Sequence, residues 1–158
     1  MNSLQNRGWR WTALVLRVLL GAAFVYGGWA KLHESWRLFA MDIEAYKVIH
    51  SMVWIEVIAR GLPWLEVLLG LWLIAGVWLR GSSTVTAVLL AGFIGLMIWA
   101  QVKHLDINCG CFGSGEKISW LTLLRDGSLL AAALVLAAWS YLRSRRPPRP
   151  PISGPLPG

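Results

Sequence analysis

Four long apolar runs constrain the fold of this chain more than any other feature. They lie at residues 11–30, 62–79, 84–100 and 121–142. Each is close to the roughly 20 residues that a helix needs to cross a hydrocarbon core about 30 Å thick. Only helices and closed barrels satisfy their backbone in lipid, and the runs lack the period-two alternation of barrel strands. The sequence therefore predicts an all-α membrane protein, a bundle of four transmembrane helices in a lipid bilayer.

The composition agrees with a membrane protein and argues against nucleic-acid binding. Hydrophobic residues make up 56% of the 158 residues and charged residues 15%. The formal net charge of +7 could suggest a nucleic-acid partner, but the basic residues cluster at the ends of the apolar runs and near the C-terminus. We interpret them as topology signals and expect no nucleic-acid partner.

The basic residues also predict an orientation. With four crossings, one side of the membrane carries a set of arginines: Arg7, Arg10, Arg80, Arg143, Arg145, Arg146 and Arg149. Cytoplasmic flanks are enriched in Lys and Arg, so both termini should be cytoplasmic, in the inner membrane of a bacterium. The first run is longer than a signal-peptide core and lacks a clear cleavage site, which predicts a retained anchor.

The remaining segments are expected to flank this bundle. We predict a cytoplasmic N-terminus at residues 1–10, a transmembrane domain at 11–142 and a disordered, basic, Pro-rich cytoplasmic tail at 143–158. Residues 35–60 are too polar to span and carry apolar side chains at helical spacing, which predicts an amphipathic external segment between the first two spans. Residues 80–83 are predicted to form the turn between the second and third spans.

The only two cysteines of the chain, Cys109 and Cys111, lie in the loop that this topology places outside the cytoplasm. A bridge across one residue needs a sharp turn, because bridged Cα atoms sit about 5.5 Å apart, and Gly110 and Gly113 allow such a turn. A bridge this tight should be strained, and strained, exposed disulfides exchange readily. The loop therefore predicts a redox-active pair.

Two other roles for the pair are weaker. A disulfide over one residue removes little chain entropy, so it would be a poor structural staple. Zinc requires four ligands, and the others would have to come from distant histidines, so no metal is predicted. Nearby basic groups, including His104, favour the thiolate, and Asp106 or His104 is a candidate for moving protons.

Four charged residues fall at similar depth near the outer ends of the spans: Lys31, Glu66, Arg125 and Asp126. Unpaired charges are costly in hydrocarbon, so we predict that these residues form one polar cluster beneath the cysteine loop. A role that only fixes the register of the helices is the alternative. Arg17 lies in the cytoplasmic half of the first run, where its side chain is expected to snorkel to the headgroups.

Several of these residues fall in one recognisable pattern. The elements are Arg17 with Gly21, Gly28-x-x-Lys31-Leu32, Pro63-x-x-Glu66-x-x-x-Gly70, Asn108-Cys109-Gly110-Cys111-Phe112-Gly113, and Arg125-Asp126. The pattern resembles the MauE branch of the DoxX-like membrane proteins and covers nearly the whole chain apart from the tail. The Cys-Gly-Cys-Phe-Gly element is its most specific part.

The resemblance implies a redox-associated membrane protein. Methylamine utilisation members of the family help to mature methylamine dehydrogenase beside a thioredoxin-like periplasmic partner. Three hypotheses follow: a thiol-disulfide exchange factor with catalytic Cys109 and Cys111, a non-catalytic anchor for a thioredoxin-like protein, and a quinone-linked oxidoreductase subunit. Quinone is the cofactor that the third hypothesis requires.

Overall fold

The computed structural model describes residues 2–104 and 118–144 of the chain. Within these ranges it contains five α helices and no strand: α1 (Asn2–His33), α2 (Trp36–Ala45), α3 (Met52–Ala75), α4 (Leu79–Val102) and α5 (Trp120–Ser144). Every helix except α2 is long and apolar enough to cross a membrane, over Gly8–His33, Met52–Ala75, Leu79–Val102 and Trp120–Leu142. The predicted all-α bundle of four transmembrane helices with an external segment is confirmed.

Helices α1 and α3 pack closely because glycines line their contact. A Cβ atom added at Gly21 would lie 2.7 Å from the carbonyl oxygen of Gly70, and one added at Gly28 would lie 2.7 Å from that of Pro63. These distances leave no room for a side chain. Small residues let helix backbones approach in the same way in other membrane proteins, where lipid supplies little hydrophobic driving force between helices.

The main apolar core joins all four spans. Its most deeply buried members come from α1, α3 and α5: Leu20, Leu73, Ala133 and Leu136. Leu90 of α4 belongs to the same cluster. Many large apolar side chains of the spans are exposed on the outer surface of the bundle, including Trp54, Leu71 and Val88. This pattern suits lipid as the surrounding solvent.

The external segment is shorter than the sequence predicted. Only α2 and the connection to Ser51 lie outside a span, and residues 52–60 form the first turns of α3. Glu56 and Arg60 are one helical turn apart on the exposed side of the helix and form an ion pair of 2.6 Å, so the charges of this polar stretch are paired within α3. Pro63, expected near the start of the span, lies inside α3.

The turn between α3 and α4 is at residues 76–78, so the prediction of residues 80–83 was wrong. Gly76 adopts a left-handed conformation, with φ of 73°, and caps α3. The serines that suggested a turn lie within α4 instead. Ser83 donates its hydroxyl hydrogen bond to the carbonyl of Leu79 at 2.6 Å, a bond within the helix that removes the need for a loop partner.

Arg17 makes a contact with α3 that the sequence did not indicate. Its Nη2 donates a hydrogen bond of 3.1 Å to the carbonyl oxygen of Ile74, in the last turn of α3. The last carbonyls of a helix lack intrahelical donors, so the guanidinium of α1 caps α3. At the C-terminal end, α5 extends to Ser144, and the rest of the predicted tail, residues 145–158, lies outside the described residues.

Candidate functional site

A buried ion pair joins α1 to α3. Lys31 Nζ lies 2.5 Å from Glu66 Oε1, and the two residues are only 3% and 4% exposed. Burying an ammonium or a carboxylate is costly, and an opposite charge at hydrogen-bond distance offsets that cost. The sequence predicted this pair from the matching depths of the two residues, and the structure confirms the contact.

Two aromatic rings complete the surroundings of Lys31. Its Nζ lies 5.2 Å from the ring centre of Phe39 in α2 and 5.1 Å from that of Phe93 in α4. A cation within about 6 Å of a ring centre is attracted by the negative face of the ring. One ammonium group therefore contacts α2, α3 and α4 from the end of α1. The sequence did not indicate either phenylalanine, because a phenylalanine within an apolar pattern carries no distinguishing signal.

The other two residues of the predicted cluster lie in α5. Arg125 Nε is 3.2 Å from Asp126 Oδ1, and the aspartate is 1% exposed while about a third of the arginine side chain is exposed. The start of α5 is fixed by a reciprocal cap in which the Thr122 backbone N–H donates to Ser119 Oγ at 3.3 Å and the Ser119 backbone N–H donates to Thr122 Oγ1 at 2.7 Å. This cap sets the depth of the charged pair, which follows one turn later.

A small cavity connects the two ion pairs. Its volume is about 20 Å³, and it is lined by residues of all four spans: Ala23, Phe24, Gly27, Glu66, Leu90, Phe93, Asp126 and Leu129. Among the residues that the structure describes, Glu66 and Asp126 are the charged members of that lining. The predicted cluster is thus two cation–carboxylate pairs that share one cavity, so the four residues lie together in the part of the chain that the structure describes.

A larger cavity of about 270 Å³ lies between α2, α3 and α4. Its lining is mainly apolar: Phe39, Asp42, Ile43, Tyr46, Val48, Ile49, Ile58, Leu62, Val88, Leu89, Gly92, Phe93 and Leu96. Phe93 therefore borders both cavities and contacts Lys31 as well. The sequence did not indicate this cavity, because it depends on how α2 packs over the two spans.

The cysteine loop itself lies outside the described residues. Cys109, Cys111, Gly110, Gly113 and Asp106 all fall in that gap.

Two described residues bound the loop. His104, the last before the gap, has a φ of 50°. Ile118, the first after it, packs against a cluster of Tyr46 and Ala100 and also against Met97. Tyr46 lines the larger cavity, so Ile118 packs against one residue of its lining.

Comparison with known proteins gives one family. Residues 9–140 match the family model described as methylamine utilisation protein MauE. The chain is similar to methylamine utilization protein MauE of Paracoccus denitrificans, with 28% identity over 125 residues. That match covers 77% of this chain and 66% of the relative, slightly less than two thirds of the relative's length. No solved structure matches the chain.

Proposed function

This chain belongs to the MauE family of membrane proteins, and on that premise we propose that it is a thiol-disulfide factor of the bacterial inner membrane. In this proposal both termini are cytoplasmic, and Cys109 and Cys111 lie on the extracytoplasmic side. The pair exchanges disulfides with a periplasmic thioredoxin-like protein and so supports the maturation of a periplasmic redox protein.

The position of the two cysteines is the observation that carries this proposal. The chain has no others, and both lie between the end of α4 and the start of α5. Helices α1, α3, α4 and α5 alternate in direction if each crosses once, so this loop is at the same end of the bundle as Lys31, α2 and the Ser51 cap of α3. In an oxidising compartment, such a loop would be open to soluble partners.

Methylamine utilisation is the process named for the similar protein. We extend it to this chain as part of the proposal, with a methylamine dehydrogenase-type enzyme as the protein that is matured. The match covers 66% of the relative, so about a third of that protein has no counterpart in the match. The proposed exchange chemistry therefore rests on residues of this chain.

Exchange through one cysteine pair takes two steps. The thiolate of one cysteine attacks a disulfide of the partner, a mixed disulfide forms and a partner thiolate leaves. The second cysteine, after losing its proton, attacks the mixed disulfide, which leaves Cys109 and Cys111 oxidised and the partner reduced. The reverse sequence oxidises a partner dithiol. His104 and Asp106 are the residues we propose to accept and return the protons.

Trapping the mixed disulfide tests the proposal. In cells, a Cys111→Ser variant retains Cys109 without the cysteine that would resolve the intermediate, and Cys109→Ser is the reciprocal variant. At least one of them should carry a partner protein through a bond that a reducing agent cleaves. The double serine variant is the control and should trap none. If neither single variant traps a partner and the double variant still supports maturation, the chain acts as a non-catalytic anchor.

A quinone-linked oxidoreductase subunit is the second candidate, favoured by the cavity of about 270 Å³ between α2, α3 and α4. Two thiols and a quinone would give a disulfide and a quinol, so electrons and protons balance. Protein purified in mild detergent should then contain an extractable quinone. Gly92→Leu places a side chain in the cavity and should lower its content, whereas Gly95→Leu, also in open space, is the control. Equal quinone content in both would contradict this candidate.

A further inference from the structure

One carboxylate oxygen of Glu66, a residue that lines the small cavity, takes no part in the ion pair with Lys31. Glu66 accepts from Lys31 through Oε1, while Oε2 is buried and receives no hydrogen bond from any residue that the structure describes. A buried acceptor without a donor loses its bonds to water and gains none in return, a cost that is larger when the acceptor is charged. Glu66 lines the cavity, so that cost would be removed by a donor placed there.

The cavity has the size and the second partner that one water molecule needs. A site for water requires roughly 10–15 Å³ of accessible volume, and this cavity has about 20 Å³. Asp126, which is 1% exposed, lines the same space from α5. A water molecule has two hydrogens to donate, one for each of two carboxylates. The remaining lining is apolar, which favours a position between those two groups.

We propose that the cavity binds one water molecule that links Glu66 to Asp126 as a single proton-exchange site in the bundle. In the described part of the chain, the charged groups around it come from three helices: Lys31 of α1 beside Glu66, Glu66 of α3, and Asp126 with Arg125 of α5. Helix α4 contributes only Leu90 and Phe93 to the lining, and α2 contributes Phe39 to Lys31 but no residue to the cavity.

In this proposal, protons move between the Glu66 and Asp126 carboxyl groups through the bound water. A proton held by either carboxyl group passes to the bound water, which gives up another proton to the opposite group, so no atom is gained or lost. Paired carboxyl groups in other proteins share a proton in this way. Arg125 holds Asp126 Oδ1 at 3.2 Å but relays no proton itself, because a guanidinium stays protonated. The site would exchange protons whether or not the cysteine loop carries redox chemistry.

Infrared difference spectroscopy of the full chain in lipid vesicles tests the proposal. Lowering the pH should produce the C=O stretching band of a protonated carboxyl group in an apolar site. Because the proton is shared, the band should shift or disappear in both Glu66→Gln and Asp126→Asn. Glu56→Gln, which alters an exposed carboxyl group of α3, should leave the band unchanged.

A cavity-filling variant keeps the test decisive if those two variants fail to fold. Ala23→Val leaves both carboxyl groups in place and occupies the space of the water, so it should shift the band. Ala22→Val, at an exposed position one residue earlier, is the matched control. The proposal is overturned if the wild-type protein shows no such band, if the band responds to only one of the two carboxyl variants, or if Ala23→Val leaves it unchanged.

Discussion

The Lys31 ammonium group of α1 and the Glu66 carboxylate of α3 lie 2.5 Å apart in a site that excludes nearly all solvent. The two residues are 35 positions apart in the chain, so their contact fixes the register of α1 against α3. Phe39 and Phe93 cover the ammonium group from α2 and α4. This pair is the point at which the external helix and three of the spans meet.

Removing one charge of this pair should destabilise the fold. Glu66→Gln leaves the Lys31 ammonium buried without a counter-ion, and we expect a loss of about 3–5 kcal/mol in the free energy of unfolding. Adding Lys31→Met should recover most of that loss, because no charge is then buried. Circular dichroism of the protein during titration of dodecyl maltoside micelles with dodecyl sulfate measures both.

The exposed Glu56–Arg60 pair of α3 is the control for this experiment. Both side chains are at least half exposed, so Glu56→Gln should change the free energy of unfolding by less than about 1 kcal/mol. A double variant that is no more stable than Glu66→Gln alone would show that a buried, unpaired charge is not the cause.

The close approach of α1 and α3 gives a second prediction. Gly70→Ala places a Cβ atom 2.6 Å from the Gly21 carbonyl oxygen, so the helices must separate, at a cost of about 1–3 kcal/mol. Gly61→Ala in the same helix meets nothing within 4 Å and should be neutral or stabilising by up to about 1 kcal/mol. The same dodecyl sulfate titration compares the two, and equal stability would contradict the packing described for Gly70.

Much of the fold follows from the sequence because lipid restricts the alternatives. An apolar run of about 20 residues has few structures available, so the four spans were predictable. The Lys31–Glu66 pair was predictable for the same reason, since a charge at that depth requires a partner. Depth along a span is a simple function of residue number at 1.5 Å per residue, and so the sequence alone was sufficient.

Features that depend on compensating local contacts were not predictable. The Glu56–Arg60 ion pair joins the charges of a polar stretch within α3, and the Ser83 hydrogen bond to Leu79 keeps a predicted turn within α4. Both contacts act within one helix turn and leave the hydropathy pattern unchanged. The small cavity depends on the relative placement of four helices and the larger cavity on that of three. No residue pattern in the sequence indicates such a placement.

Arg17 supplies a third prediction. Arg17→Met removes the donor to the Ile74 carbonyl and should lower the free energy of unfolding by about 1 kcal/mol, the usual net value of a hydrogen bond. Arg10→Met, on an exposed face of α1, should have a negligible effect. Dodecyl sulfate titration again measures the change. If the two variants are equally stable, the cap contributes nothing.

The proposed orientation gives a fourth prediction. Reporter domains fused after Trp78 and after Arg149 should be cytoplasmic, because the arginine-rich flanks resist translocation. A reporter fused after Gly115 should be extracytoplasmic. Enzymatic activity of a reporter that folds only in the periplasm distinguishes the two compartments. A cytoplasmic reporter at Gly115 would contradict both the orientation and the access of a periplasmic partner to the cysteines.

The reduction potential of the Cys109–Cys111 pair decides whether the two cysteines can exchange disulfides with a partner protein. Purified protein equilibrated with glutathione buffers of known potential is alkylated, and mass spectrometry counts the free thiols. An exchangeable pair should be in equilibrium with such buffers, at a potential above about −300 mV. A potential below about −300 mV, in the range of structural disulfides that resist reduction by glutathione, would rule out disulfide exchange and leave the chain a membrane anchor.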